Sequence, residues 1–324
     1  MTGTICGVDV ASKSLEARIG QHGAAGCFPN NAEGIAELGA FCRVASGRTG
    51  RHGSHRRGYE QQAFALLSEQ GLGVAILNPR AVRQFAESMG SLEKTDRIDA
   101  GMIAWYAEVK KSRPVCLAPQ SQQHLRALVT RLRQLTEIRT AQLNQQRLVI
   151  DRSVQASFTK LLTFVGRQIR DLEQRITKLI EQDPLWRELN QTFRTIKGVA
   201  DRTVARLMAE MPEIGTLSNK TISKLAGVAP IARDSGKHQG KRIVRGGRPA
   251  VREILFIVAS VVGRYEPDFI AFQQRLRAAG KPPKVVRIAL AHKLLVRLNA
   301  KAREVRQHSA ALQPASSALL LEKI

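Results

Sequence analysis

The chain has 324 residues and carries 51 Lys and Arg against 27 Asp and Glu, a formal charge of +24 with His neutral. That length allows two or three units with a sizeable buried core and excludes a minimal peptide or a disulfide-stapled scaffold. Self-repulsion on this scale has little use in an ordinary metabolic enzyme and points to a polyanionic partner. Aromatic residues make up only 5%, which favours gripping the phosphates of duplex or structured nucleic acid over stacking on bases.

The four cysteines, Cys6, Cys27, Cys42 and Cys116, lie far apart without a Cys-x-x-Cys pair. They suggest neither a zinc site nor a disulfide framework and fit a reducing cytoplasm. The longest apolar run, Ile254 to Val262, is too short to cross a bilayer, and the N-terminus shows no basic region followed by an apolar signal core. A soluble, unsecreted, cytoplasmic protein with no membrane partner is expected.

From Thr4 to Gly20 the β-branched pattern of Ile5, Val8 and Val10, the polar Ala11-Ser12-Lys13, and Leu15 to Ile19 predict a β-hairpin. Ala32 to Arg43 carries Ile35, Leu38 and Phe41 at helical spacing. Tyr59 to Gln70 reads as another helix, and Val74 to Leu77 as a short buried strand ending at Asn78-Pro79. Alternating strands and helices imply an α/β unit. Thr95 to Lys110, with Ile98, Met102, Ile103 and Tyr106 in one stripe, predicts a helix that closes the first domain near Pro114.

Beyond it, Leu125, Leu128, Leu132 and Leu135, and then Val165, Ile169, Leu172, Ile176 and Leu179, predict two long helices. They form either an antiparallel hairpin packed on itself or an oligomerisation arm; the narrow stripes favour the arm. Past Pro184 the chain is helical, passes through a basic glycine-rich loop from Ser235 to Arg248, and ends in helices over Val251 to Tyr265 and Lys284 to Arg303. The domains expected are 1–113, an arm over 114–190, a C-terminal domain over 191–306 and a tail over 307–324.

Asp9 sits in the first strand between β-branched residues, where an acid needs a partner or a cation, although strand-end acids also serve as turn or cap residues. In Lys94-Thr95-Asp96-Arg97-Ile98-Asp99-Ala100 two carboxylates share one helix face and could hold a divalent metal. Acids also favour a first helical turn through the macrodipole alone. Taken together, a strand acid opposite a helical acid pair suits magnesium and phosphodiester chemistry. Asp9, Asp96 and Asp99 fit that plan.

Arg233-Asp234-Ser235-Gly236 opens a stretch in which Lys237, Lys241, Arg242, Arg245, Arg248 and Arg252 occur with no acid between Ser235 and Arg252. These are candidate nucleic-acid ligands. Asp-Ser-Gly is ordinary turn chemistry, or else it presents Ser235 as a nucleophile among cations that stabilise developing negative charge. Thr195-Ile196-Lys197-Gly198-Val199-Ala200 resembles the turn of a helix-hairpin-helix, with Lys197 and Gly198 as candidate phosphate ligands. Ala200 replaces the usual second glycine, which leaves a plain helix turn equally open.

The ordered set Gly7-Val8-Asp9, Asn78-Pro79-Arg80, Lys94 to Ala100, Asp234-Ser235-Gly236 and Gly246-Gly247-Arg248 resembles the DEDD transposases of the insertion-sequence 110 family. Ala271 to Ala300 resembles the family's C-terminal helices, so the likeness covers nearly the whole chain. It implies an α/β RuvC-like (RNase H-like) N-terminal domain binding Mg²⁺, a coiled-coil helical arm, and a mainly α transposase domain whose serine completes a composite active site. It further implies site-specific DNA recombination by a homo-oligomer, dimer or tetramer, around a structured noncoding bridge RNA. Carried over, Asp9, Asp96 and Asp99 are metal ligands and Ser235 is the catalytic nucleophile. The other readings are an inactive RNA- and DNA-binding remnant and a RuvC-like junction nuclease.

One motif departs from the family. Its second acid lies in Glu-Ala-Thr-Gly just before Gly-Tyr-Glu, whereas here Gly58-Tyr59-Glu60 follows Gly53-Ser54-His55-Arg56-Arg57. The Glu is absent, and Ser46 to Arg57 shows no β pattern for the central strand expected there. Codons for Arg51 to Arg57 read one base later can spell Val-Met-Glu-Ala-Thr-Gly-Gly, with the missing Glu straddling Gly53 and Ser54. The segment therefore reads as frame-shifted, and the chain as written is expected to be catalytically impaired. Glu60, on a predicted helix just beyond the motif, is not expected to reach the metal.

Overall fold

The computed structural model describes residues 5–46, 60–91, 96–232, 234–236, 240 and 242–311, without the side chains of 44–46 and 96–98. The chain divides into two units, Met1–Ala118 and Pro119–Ile324.

In the first unit, β1 (Cys6–Val10), β2 (Ser14–Ile19) and β3 (Ala25–Pro29) form an antiparallel meander in the order β1-β2-β3. Its register pairs Gly7 with Arg18 and Asp9 with Glu16. Because side chains alternate along a strand, Cys6, Val8, Val10, Leu15, Ala17 and Ile19 enter one core with Ile35 and Leu38 of α1 (Ala32–Ser46) and Leu67 of α2 (Glu60–Glu69). The opposite face belongs to α3 (Pro79–Ser88) and α4 (Asp96–Val109), where Ile5, Leu77, Val82, Ile103, Ala104 and Ala107 cluster.

The expected hairpin and three of the expected helices lie where the pattern places them. Helix α3 was not anticipated. Asn78 caps it, its side chain accepting from the Arg80 amide at 3.0 Å, and Pro79 occupies the first turn, where its missing N–H costs nothing. Phe85 stacks edge-on against Trp105 (5.0 Å) and at a tilt against Tyr106 (5.4 Å), fixing α3 on α4.

In the strand expected over Val74–Leu77, Val74, Ala75 and Leu77 are buried and Ile76 is exposed, and the segment joins no ladder among the described residues. Leu72 and Val74 enter the α1-side core and Leu77 the α4-side core, the alternation of a strand. The Val115 amide donates to the Val74 carbonyl at 2.8 Å. The segment expected to supply the central strand, 47–59, lies outside the described residues.

The second unit is helical. Helices α5 (Gln120–Gln146) and α6 (Arg152–Gln182) run antiparallel and pack on each other. They are followed by α7 (Pro184–Arg194), α8 (Asp201–Glu210), α9 (Asn219–Ala226), α10 (Pro249–Tyr265), α11 (Pro267–Ala278) and α12 (Pro283–Ala311). One hydrophobic core runs through all of them, from Leu125, Leu132 and Ile176 to Leu255, Leu294 and Leu298. Gln122 ties the start of α5 into it by donating to the Met208 carbonyl at 2.9 Å.

The base of the α5–α6 hairpin thus shares a core with the C-terminal helices. Its far end stands clear: beyond Leu135 and before Val165 no side chain of the pair is buried, and Leu148 and Ile150 are 84% and 94% exposed. No helix among the described residues is long and apolar enough to cross a membrane.

Candidate functional site

The first candidate site lies on the seam between β1 and α4. A β-carbon at Gly7 would collide with the Ala100 carbonyl oxygen and lie 2.6 Å from the Ala104 amide nitrogen, so strand and helix touch backbone to backbone. Ile5 clusters with Ile103, Ala104 and Ala107, further along α4. Moving along β1 from Ile5 through Gly7 to Asp9 therefore runs back along α4 toward its first turn. Asp9 lies two residues further along β1 on the same face as Gly7, and Asp99 directly precedes Ala100 in α4; both are half-buried. Asp96 begins the helix, and its side chain lies outside the description.

Glu16, which the sequence reading did not single out, is the register partner of Asp9 and so shares its face. Carboxylates directly opposite each other on two strands repel. The register was readable in principle from the short turn joining Val10 to Ser14. Asp99 also lines a pocket of about 300 Å³ with Arg80, Arg83 and Met102. Among the described residues no group of three His, Cys, Asp or Glu side chains is gathered closely enough to hold a metal.

The second candidate site is the serine loop. Ile231 and Ile243 pair across its neck, exchanging main-chain bonds of 2.9 and 3.2 Å. Above the neck, Asp234 accepts from Arg242 Nη1 at 2.6 Å and from the Gly240 amide at 3.1 Å. The Arg242 guanidinium holds the Asp234 carboxyl below the usual carboxylate range. Ser235 follows directly and is exposed, with Gly236 turning the chain at φ +55°. Arg233, Lys237 and Lys241 lie outside the described residues.

Other expected nucleic-acid ligands have structural duties. Arg248 makes a fork with Glu213, both bonds 2.6 Å, and reaches the Glu210 carbonyl at 2.8 Å. Arg252 donates to the Gly246 carbonyl at 2.7 Å. These clasps hold Gly246-Gly247 against Gly227, the left-handed C-cap of α9. A β-carbon on Gly247 would lie 2.6 Å from the Gly227 Cα, and one on Gly227 would lie 2.7 Å from Arg252 Nη1. Gly227, absent from the sequence reading, is thus half of a glycine-to-glycine contact that sets the start of α10. Arg245 is exposed.

The turn at Thr195–Ala200 also has an internal use. The Lys197 amide donates to Glu266 Oε1 at 2.8 Å, and Gly198, at φ +99°, packs on α10, where a β-carbon would sit 3.0 Å from Val261 Cγ1. One amide of the turn is therefore taken by a carboxylate, while the Lys197 side chain stays exposed.

A family model for a DEDD-type IS110 transposase matches residues 6–154, and a second, described as "Transposase IS116/IS110/IS902 family", matches residues 190–274. The chain belongs to the IS110 family of transposases. Pilin gene-inverting proteins of Moraxella bovis and Moraxella lacunata are each 28% identical to it over 319 residues, spanning 91% of this chain and 94% of theirs. A 43.6 kDa protein of insertion element IS110 from Streptomyces coelicolor is 29% identical over 127 residues, 39% of this chain and 30% of that one.

As an IS110 transposase, the chain is a DNA recombinase by family. Its three-stranded sheet with flanking helices corresponds to the DEDD part and its helical second unit contains the second matched region. The first match ends at residue 154, just inside α6, so it takes in the seam, the Asp99 pocket and all of α5. The serine loop and both glycines of the Gly246-Gly247 contact fall in the second.

Proposed function

We propose that this chain is the recombinase of an insertion sequence, working in the bacterial cytoplasm, with a RuvC-like first unit that binds Mg²⁺ and a second unit that supplies a serine nucleophile. The observation behind the reading is the Gly7 contact with Ala100 and Ala104, which brings the strand that carries Asp9 against the helix that carries Asp99. Asp9, Asp96 and Asp99 present hard oxygen ligands, a donor set that fits magnesium sharing its remaining positions with phosphate oxygens. When bound, the ion neutralises charge on the phosphate under attack.

Ser235 Oγ forms a bond to phosphorus as the bond from phosphorus to one deoxyribose oxygen breaks, and the serine proton ends on that departing oxygen. One phosphodiester replaces another, so strand exchange needs no external energy source. Reversal by a sugar hydroxyl from a second strand rejoins the DNA and frees the serine. The Asp234–Arg242 clasp positions the serine, and Lys237, Lys241, Arg245 and the Lys197 side chain supply phosphate contacts.

The names of the Moraxella relatives support strand exchange rather than simple hydrolysis as the outcome. The charge of +24 supports a structured bridge RNA as a second polyanion beside DNA. The exposed apolar end of the α5–α6 hairpin, with Leu148 and Ile150, supports assembly into a dimer or tetramer.

A second reading, a recombinase-derived binding protein that no longer cuts, is favoured by the absence of Glu-Ala-Thr-Gly before Gly58. A plasmid recombination assay with the element's own RNA decides between them, run on the chain as written, on Ser235→Ala, and on a chain with Glu-Ala-Thr-Gly restored. The recombinase reading expects the restored chain to be the most active, S235A to fall by on the order of 10³-fold or more, and denatured gels to show DNA linked to Ser235. Restored protein that is inert supports the binding reading. Hydrolysis without a protein link supports a junction nuclease. Sequencing the DNA that encodes Arg43 to Gly58 tests the frame shift directly.

A further inference from the structure

We propose that a pocket at the junction of α10, α11 and the start of α12 is a phosphate cradle for the nucleic-acid backbone, separate from the serine loop. The pocket, of about 480 Å³, is lined by Arg264, Arg277 and Arg287 together with Ser260, Gln273 and Gln274, and by no carboxylate. This inference rests on the nucleic-acid reading above and adds a place and a set of residues to it.

These arginines differ from those that the fold pairs with acids. Arg133, Arg175 and Arg202 each face a carboxylate, on Glu137, Asp171 and Glu173 respectively. Arg264, Arg277 and Arg287 form no such pair among the described residues. Uncharged groups orient two of them instead. With the Gln273 amide assigned in the orientation that satisfies both its ends, its oxygen accepts from Arg277 Nη2 at 2.6 Å and its nitrogen donates to the Gly263 carbonyl at 2.9 Å. The Arg287 guanidinium lies over the Phe256 ring, 4.9 Å from its centre.

Both guanidinium groups are therefore oriented without being neutralised, the state in which a planar fork binds a phosphate with least further ordering. The surrounding sequence keeps the same sign. No Asp or Glu occurs from Phe269 to Arg303, a stretch that holds nine Lys and Arg, including Lys281 and Lys284 beside the pocket. That acid-free run is longer than the one around Ser235. The ligand chemistry is a phosphodiester, from DNA or from RNA.

The test uses the full chain and a variant carrying Arg264→Gln, Arg277→Gln and Arg287→Gln. A control carries Arg133→Gln, Arg175→Gln and Arg202→Gln, the same loss of charge at carboxylate-paired sites. Binding of a labelled DNA duplex and of a labelled RNA hairpin is measured by anisotropy at about 50 and 200 mM salt. The cradle variant is expected to lose about tenfold or more in affinity at the lower salt and to show a log–log salt slope shallower by roughly two to three, since each neutralised phosphate contributes about 0.9. The control is expected to stay close to the parent. Loss confined to one probe assigns the cradle to that nucleic acid; loss on both assigns it to either backbone.

A folded cradle variant that matches the control on both probes overturns the inference and leaves the nucleic-acid reading standing. A parent chain that binds neither probe overturns both. Arg264→Gln alone, at an exposed site near the end of α10, repeats the test on a smaller scale should the triple variant fail to fold; a salt slope unchanged from the parent then overturns the cradle.

Discussion

Gly7 on β1 and Ala100 on α4 approach so closely that no side-chain carbon fits between them. Alanine at residue 7 has to push α4 away from the sheet. Gly7→Ala is expected to destabilise the first unit by about 3 kcal/mol or more, at the upper end of what overpacking costs, measured by urea denaturation. Because the same contact joins the strand of Asp9 to the helix of Asp99, recombination activity should fall further than the loss of folded protein explains.

The two glycines of the Gly246-Gly247 turn separate two costs that are usually mixed. Both have positive φ, +74° and +66°, but a β-carbon on Gly246 meets nothing within 4 Å, whereas one on Gly247 runs into Gly227. Gly246→Ala is expected to cost about 1–2 kcal/mol, the left-handed penalty alone. Gly247→Ala is expected to cost about 2–4 kcal/mol, because overpacking adds to it. Equal melting temperatures for the two variants would show that the turn does not rest on α9.

Two groups give the stability a pH dependence of known sign. Burial raises the Glu213 carboxyl, but the Arg248 fork, a backbone hydrogen bond and the charge of Arg126 together outweigh it and leave the group below its ordinary value. A folded value below the unfolded one means stability that is present above about pH 4.3 and lost as pH falls through the lower folded value. Burial alone lowers His292, so its contribution is present above about pH 6.5 and lost as pH falls below that. Urea titrations from about pH 2.5 to 8 should show stability falling below each value. Arg248→Gln should flatten the lower fall and His292→Gln the upper.

The four thiols divide by position. Cys6 and Cys42 are buried, and Cys27 and Cys116 are exposed. A hydrogen bond with Cys42, and then burial, raise the Cys6 thiol well above its ordinary value, which suppresses the reactive thiolate. A chromogenic disulfide reagent at neutral pH is expected to titrate two thiols within minutes and the other two only after denaturant is added.

Much of the first unit was legible because its elements follow clean periods. Alternation marks Ile5 to Ile19, and helical spacing marks Ile35, Leu38 and Phe41. Strand β3 was not legible, since Ala25-Gly26-Cys27-Phe28-Pro29 has neither alternation nor β-branched residues and is recruited by pairing with β2. Helix α3 was hidden because Pro79 read as an ending, although proline also begins helices.

For the candidate sites, the residue types were legible and their surroundings were not. Asp9 and Asp99 are 90 positions apart in the chain, and only the Gly7 contact shows that the strand of one packs on the helix of the other. The clasp of Asp234 by Arg242 spans a loop, and the Arg248 fork to Glu213 joins segments 35 positions apart. No local pattern distinguishes an arginine that grips phosphate from one that closes a turn.

The α5–α6 hairpin has an uneven hold on its own helicity. Near its base, side chains such as Leu125 and Ile176 are locked into the layer shared with α10 and α12, but past Leu135 each helix has little besides the other to lean on. Amide protons should therefore exchange with deuterium in a gradient, fastest around Leu148 and slowest near Gln122, as the pair unzips from its turn while its root waits for the whole unit to open.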